Sequence, residues 1–220
     1  NKVVIEELMF PNVIYVWERY QQLGAKLELV PSEDGMNIAL ERTLEAIDET
    51  TAIVSISHAV YVSGALMDLR AIADRAHEVG ALCMVDAYQT LGVVPMDVFD
   101  LGVDILVGGS HKWLCSGPGT GFMWVHPDVA PKLSPRSTGW WGHRDPFAFE
   151  PAPIDYAQGA WRFMGGTPSV PAHYVAREAY KGLHEVGAAT IRQHNAALCQ
   201  IIIDRAQAAG LTIHSPLPHH

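Results

Sequence analysis

Several short apolar runs in this sequence end in residues that could do chemistry. Residues 82–85 are followed by Asp86, Ala87, Tyr88 and Gln89. Residues 105–108 are followed by Gly109, Ser110, His111 and Lys112, and residues 51–56 by Ser57 and His58. If these runs were neighbouring strands, a carboxylate, an amine, an imidazole, a carboxamide and hydroxyls would share one crevice. A lysine amine can condense with an aldehyde and then move protons, and a carboxylate can hold a proton on a basic ring nitrogen. Each residue also has a plainer use. A lone lysine usually reaches solvent, and an aspartate at a strand end is often a helix N-cap.

The elements that must position these groups follow from the hydrophobic pattern. Strands are predicted over 3–6, 26–30, 51–57, 82–85, 105–108 and 121–126. Runs such as Ala52-Ile53-Val54-Ser55-Ile56 do not alternate, as strands buried on both faces do not. Helical patterns cover 13–23, 37–47 and 68–79, and the last ends at Gly80, a C-cap signal. Alternating β and α predicts an α/β fold with a mostly parallel sheet, whose ligands bind at the carboxyl ends of the strands. Residues 127–160 are rich in Pro, Gly and aromatics and read as a long functional loop. Residues 171–210 are mostly helical, with a break near Gly187. Residues 211–214 read as the start of a further strand. Both ends look cut inside folded structure. His219 and His220 would be either the start of a tag or a native end.

Composition narrows the function classes. The 220 residues are 49% hydrophobic and 18% charged, so the chain can bury a core. The net charge of −9 speaks against a broad nucleic-acid or membrane surface and leaves room for a small local anion pocket. No signal-peptide pattern or apolar span is read, and a cytoplasmic protein is expected. Cys83, Cys115 and Cys199 lack disulfide or zinc spacing, and Cys115 and Cys199 are read as small core residues. The eleven histidines show no ligand spacing, so no metal is expected. Gly117–Gly121 is a tight connection, since a nucleotide loop would be followed by Lys-Ser/Thr and a helix.

Asp86 and Lys112, with Ser110 and His111 beside the lysine, suit pyridoxal 5'-phosphate. That cofactor forms a Schiff base with lysine and needs its ring nitrogen kept cationic. Asp86-x-x-Gln89, then Ser110-His111-Lys112, then Gly117-Pro118-Gly119-Thr120-Gly121-Phe122, resembles the class V aminotransferase group of fold-type I enzymes. That group includes cysteine desulfurases and kynureninases. Gly139-Trp140-Trp141-Gly142-His143 and Arg162-Phe163-Met164-Gly165-Gly166-Thr167-Pro168 are similar to kynureninase segments. Phe10-Pro11-Asn12 fits the segment whose aromatic ring stacks on the cofactor.

The resemblance implies a three-layer α/β/α large domain over 1–170 and the start of a small domain over 171–220. It implies a small-molecule amino-acid substrate, truncation at both ends, and a homodimer with active sites at the interface. Lys112 would carry the cofactor and move protons, and Asp86 would pair with its ring nitrogen. Gln89 would sit near the ring hydroxyl, with Ser57 close by. Ser110 and His111 would help hold phosphate. Trp140 and Thr167 would add cofactor contacts, Trp140 near the phosphate and across a dimer interface. Arg162 would fix the substrate carboxylate, since a planar guanidinium grips carboxylates in pairs. Its other reading is a structural role. Gln89 and His111 match desulfurases and class V aminotransferases, whereas kynureninases usually have His and Tyr there. A desulfurase also needs a nucleophilic cysteine well after the lysine. A kynureninase-like lyase is the leading expectation. The others are an aminotransferase, a desulfurase-like enzyme, or a non-catalytic binding module.

Overall fold

The computed structural model describes residues 1–217, so His219 and His220 lie outside the described residues. Six strands form one sheet: β1 (Lys2–Glu6), β2 (Lys26–Val30), β3 (Thr51–Ser57), β4 (Leu82–Asp86), β5 (Ile105–Gly109) and β6 (Gly121–Val125). Their order is β2-β1-β3-β4-β5-β6. All neighbours run parallel except β6, which returns antiparallel to β5. The missing alternation is explained by burial: β1 is buried at all five positions and β5 at four of five. At the edge of the sheet, β2 buries only Val30.

Successive β1 side chains go to opposite faces. Val4 joins Val54, Ile56 and Ile72 in one cluster, covered by α2 (Leu40–Glu45) and α3 (Leu69–Glu78). Val3 and Ile5 join Met9 on the other face, under Val13, Ile14 and Trp17 of α1 (Pro11–Gln21). Helices on both faces make the three layers expected. Full burial of a side chain such as Ile56 or Ile72 stabilises by about 1.5–3 kcal/mol. Further along the α1 face, Ile105, Val125 and Ala130 pack with Ala160 and Phe163, so the long loop is part of that layer. It is folded into short 3₁₀ turns.

Helix ends follow local chemistry. Asp68 caps α3 by accepting from the Ala71 N–H at 3.0 Å. The helix predicted over 37–47 forms only as α2, because Asp34 Oδ1 accepts from Met36 and Asn37 N–H and holds the preceding residues as a turn. Two long helices follow, α4 (Val170–Val186) and α5 (Ala188–Ala208), broken at Gly187 with φ 85°. The strand expected at 211–214 does not form: among the described residues no strand pairs with it to satisfy its backbone. The core reading of two cysteines is also corrected. Cys115 is exposed because it sits in a left-handed turn (φ 57°) beyond Lys112, and Cys199 is exposed on α5. Cys83 is buried, and burial pushes its thiol up to about 12.

Candidate active site

In this sheet β1 has neighbours on both sides, and the chain reverses its direction of winding there. Ligands of such sheets bind at the carboxyl ends beside that point. A cavity of about 300 Å³ lies there, lined from four successive strand ends. Phe10 follows β1, Ser57 ends β3, Asp86 ends β4 with Gln89 beyond it, and His111 and Lys112 follow β5. The parallel register sets Ser57 opposite Asp86. Main-chain bonds fix the rim: His58 N–H to Asp86 O at 2.9 Å, and Ala87 N–H to Val107 O at 2.9 Å. The Lys112 turn is closed by Ser116 N–H to Ser110 O at 2.9 Å.

The lysine ammonium lies between two aromatic rings, 5.4 Å from the Phe10 centroid and 5.3 Å from that of Tyr88. Phe10 is steadied by an edge contact with Tyr61 at 5.4 Å. Tyr88 packs at 5.6 Å from His111 and lies against Gly109. A Cβ at Gly109 would come within 2.1 Å of that ring, so the slot for Tyr88 requires glycine there. Tyr61 and Tyr88 line the cavity, yet sequence reasoning did not single them out. Tyr88 lay inside a quoted motif, but only its neighbours had assigned chemistry.

Burial pushes the Asp86 carboxyl above its ordinary range, while the Tyr88 N–H and the Lys112 charge pull it back. Its Oδ1 does accept from Tyr88 N–H at 2.9 Å, as a capping aspartate would. That bond still leaves a half-buried carboxylate that gains by meeting a cation. Glu6, at the end of β1, is fully buried and also missed from sequence. Its signal was an acidic residue closing the apolar run Val3–Ile5. His58, beneath the rim, bonds Thr90 at 2.9 Å, and burial lowers it to about 4.

Other expected residues are not brought to this cavity. Ser110 is buried on the Lys112 turn, where its hydroxyl bonds that of Tyr180 on α4. Trp140 lies in an aromatic cluster with Trp141, Phe147 and Phe149. Thr167 is exposed in the segment before α4. The Arg162 guanidinium donates to the main-chain carbonyls of Ala130 (2.7 Å), Leu133 (3.1 Å) and Ala157 (3.3 Å). It fastens the loop layer, the structural role weighed against carboxylate binding.

The chain is 34% identical over 211 residues to an uncharacterized aminotransferase, YcbU, of Bacillus subtilis (96% of this chain, 55% of that one). It is 31% identical over 225 residues to a kynureninase of Pseudomonas fluorescens (99% of this chain, 52% of that one). The chain thus spans about half the length of these curated relatives. Its fold matches an apo cysteine desulfurase of Thermococcus onnurineus with TM-score 0.87 at 20% identity, over 99% of this chain and 54% of that one. It also matches a C-DES variant with glycine covalently linked to its PLP cofactor, with TM-score 0.82 at 21% identity, over 94% of this chain and 55% of that one. The donor set fits pyridoxal phosphate: an amine for its aldehyde, a carboxylate wanting a cation for its ring nitrogen, and rings to flank it. Residues 1–216 match the Aminotransferase class-V family, and the chain belongs to that family of pyridoxal phosphate-dependent enzymes.

Proposed function

We propose that this chain provides the cofactor pocket of a pyridoxal phosphate enzyme that acts on an amino acid, and that the reaction is a kynureninase-like cleavage. The carrying observation is the convergence of Lys112 and Asp86 in one cavity walled by Phe10 and Tyr88. When bound, the cofactor supplies an aldehyde and an electron-withdrawing ring. Lys112 Nζ would hold the cofactor's aldehyde carbon and, when free, would serve as the base that moves the substrate Cα proton. Asp86 keeps a proton on the ring nitrogen, because the cation offsets the cost of its burial. Phe10 and Tyr88 keep water from the ring faces. Gln89 and Ser57 would meet the ring hydroxyl and His111 would serve the phosphate, while Ser110, its hydroxyl bonded to Tyr180, would hold the Lys112 turn. Trp140 and Thr167 complete the pocket from a second copy in a homodimer.

The lyase reading draws on the 139–143 and 162–168 segments and on the kynureninase similarity. An aminotransferase reading is favoured by Gln89 and by the similarity to YcbU. A desulfurase reading draws on Gln89 and His111; Cys115 and Cys199 do not line the Lys112 cavity. The test offers the purified, cofactor-loaded protein kynurenine, cysteine, or alanine with a keto acid. Release of alanine from kynurenine supports the lyase. Sulfur release from cysteine, or pyruvate formation from alanine that depends on the keto acid, would overturn it in favour of the corresponding rival.

A further inference from the structure

A second cavity, of about 550 Å³, opens beside the first and shares Ala59, Tyr61 and Gln89 with it. It lies between the segment after β3, the segment after β4 and one face of α5. Lys112 lines the first cavity and its neighbour Trp113 the second. Much of the second wall is apolar, with Val94, Trp113, Leu198 and Ile202, as ligand cavities usually are. Arg192 is the one charged residue among the described lining residues, and Asn195 stands three positions further along the same face of α5. Arg192 is half-buried and makes no ion pair among the described residues. Its charge reaches the buried His58, which bonds Thr90 on the opposite wall. Arg162, by contrast, is occupied by three main-chain carbonyls.

We propose that the second cavity is the substrate chamber, where Arg192, helped by Asn195, grips the carboxylate of an amino acid whose apolar side chain lies along Trp113 and Leu198. A guanidinium takes a carboxylate through paired N–H donors, and a half-enclosed cavity weakens that attraction less than open water does. Tyr61 and Gln89, common to both cavities, mark the passage from the Lys112 amine to this anchor. The word substrate rests on the cofactor reading of the first cavity, but the carboxylate site can be tested without cofactor.

Hydrocinnamate, hydrocinnamyl alcohol and propanoate, offered to the purified cofactor-free protein in a calorimeter, separate the charge from the apolar wall. Hydrocinnamate should bind about tenfold or more tighter than either, the scale of one charge-assisted hydrogen-bonded contact. Arg192→Met should bring the acid down to the level of the alcohol, and Arg192→Lys should recover part of the loss. Equal affinity for acid and alcohol, no saturable binding, or an unchanged preference in Arg192→Met would overturn the proposal. Alkylation of the two exposed cysteines locates the ligand, because Cys199 lines this cavity and Cys115 does not. Bound hydrocinnamate should slow labelling of Cys199 about threefold or more and leave Cys115 unchanged. Protection of neither thiol, or of both alike, would place the ligand elsewhere and refute the site. If wild type took no pyridoxal phosphate on Lys112, the cofactor reading would fail, and the Arg192 and Cys199 results would still decide the carboxylate site.

Discussion

The floor of the Lys112 cavity and the loop layer over residues 139–163 share the class-V resemblance but hold their residues differently. On the floor, Ser57, Asp86, His111 and Lys112 hang from strand ends whose parallel register fixes them against one another. In the loop layer, Arg162 is bound to three main-chain carbonyls, and Trp140 is packed among Trp141, Phe147 and Phe149. The sheet therefore builds the chemical site, and the loop layer first builds itself. Much of that layer's aromatic surface stays exposed, with Phe147 at 65% and Phe149 at 73%. Contiguous apolar surface of this kind marks interaction sites, in keeping with the proposed second copy.

Variants can break or sharpen this contrast. Lys112→Ala has the largest expected effect: borohydride-stable attachment of pyridoxal phosphate disappears while the circular dichroism of the fold is unchanged. Asp86→Asn should slow exchange of the substrate Cα proton with solvent deuterium by roughly 10²–10³-fold, the scale of losing one electrostatic stabiliser. Its melting temperature should not fall, because the aspartate is a desolvated charge. A lower melting temperature with normal exchange would recast Asp86 as a turn cap.

His58 gives a pH test below the floor. Its ordinary value of 6.5 falls to about 4 in the fold, so the unfolded chain binds the proton first. Its contribution is intact above pH 6.5 and is lost as pH falls towards 4, by about 3 kcal/mol over that window. Urea titrations across pH 4–7 measure this loss, and His58→Gln should flatten the slope. The smallest effect belongs to the loop layer. Arg162→Leu should cost about 2 kcal/mol in thermal unfolding, because three main-chain carbonyls lose the guanidinium donor. Its cofactor affinity should be unchanged, and a large rise in substrate KM without loss of stability would restore Arg162 as a carboxylate ligand.

The sequence made the floor legible because parallel strands are short, apolar and end abruptly. Asp86, Lys112 and Ser57 are readable as strand-end residues from the sequence alone. Phe10 was legible only through its family resemblance. Tyr61, Tyr88 and Glu6 were not legible, since their roles depend on packing across strands. Tyr88 needs the glycine at 109 to lie flat, and Glu6 needs Ser57 above it. The main-chain partners of Arg162 were not legible for a related reason: a loop arginine's partners are set by tertiary contacts that local spacing does not encode. The exposed cysteines show the same limit, as Cys115 is turned outward by one left-handed residue.

The central claim is that Lys112 is the residue that takes the cofactor. Pyridoxal phosphate would be added to the purified protein, the complex reduced with borohydride, and the modified peptide mapped by mass spectrometry. A single modified residue, Lys112, dependent on Asp86, is expected. Modification spread over surface lysines, or undiminished labelling in Lys112→Ala, would contradict it.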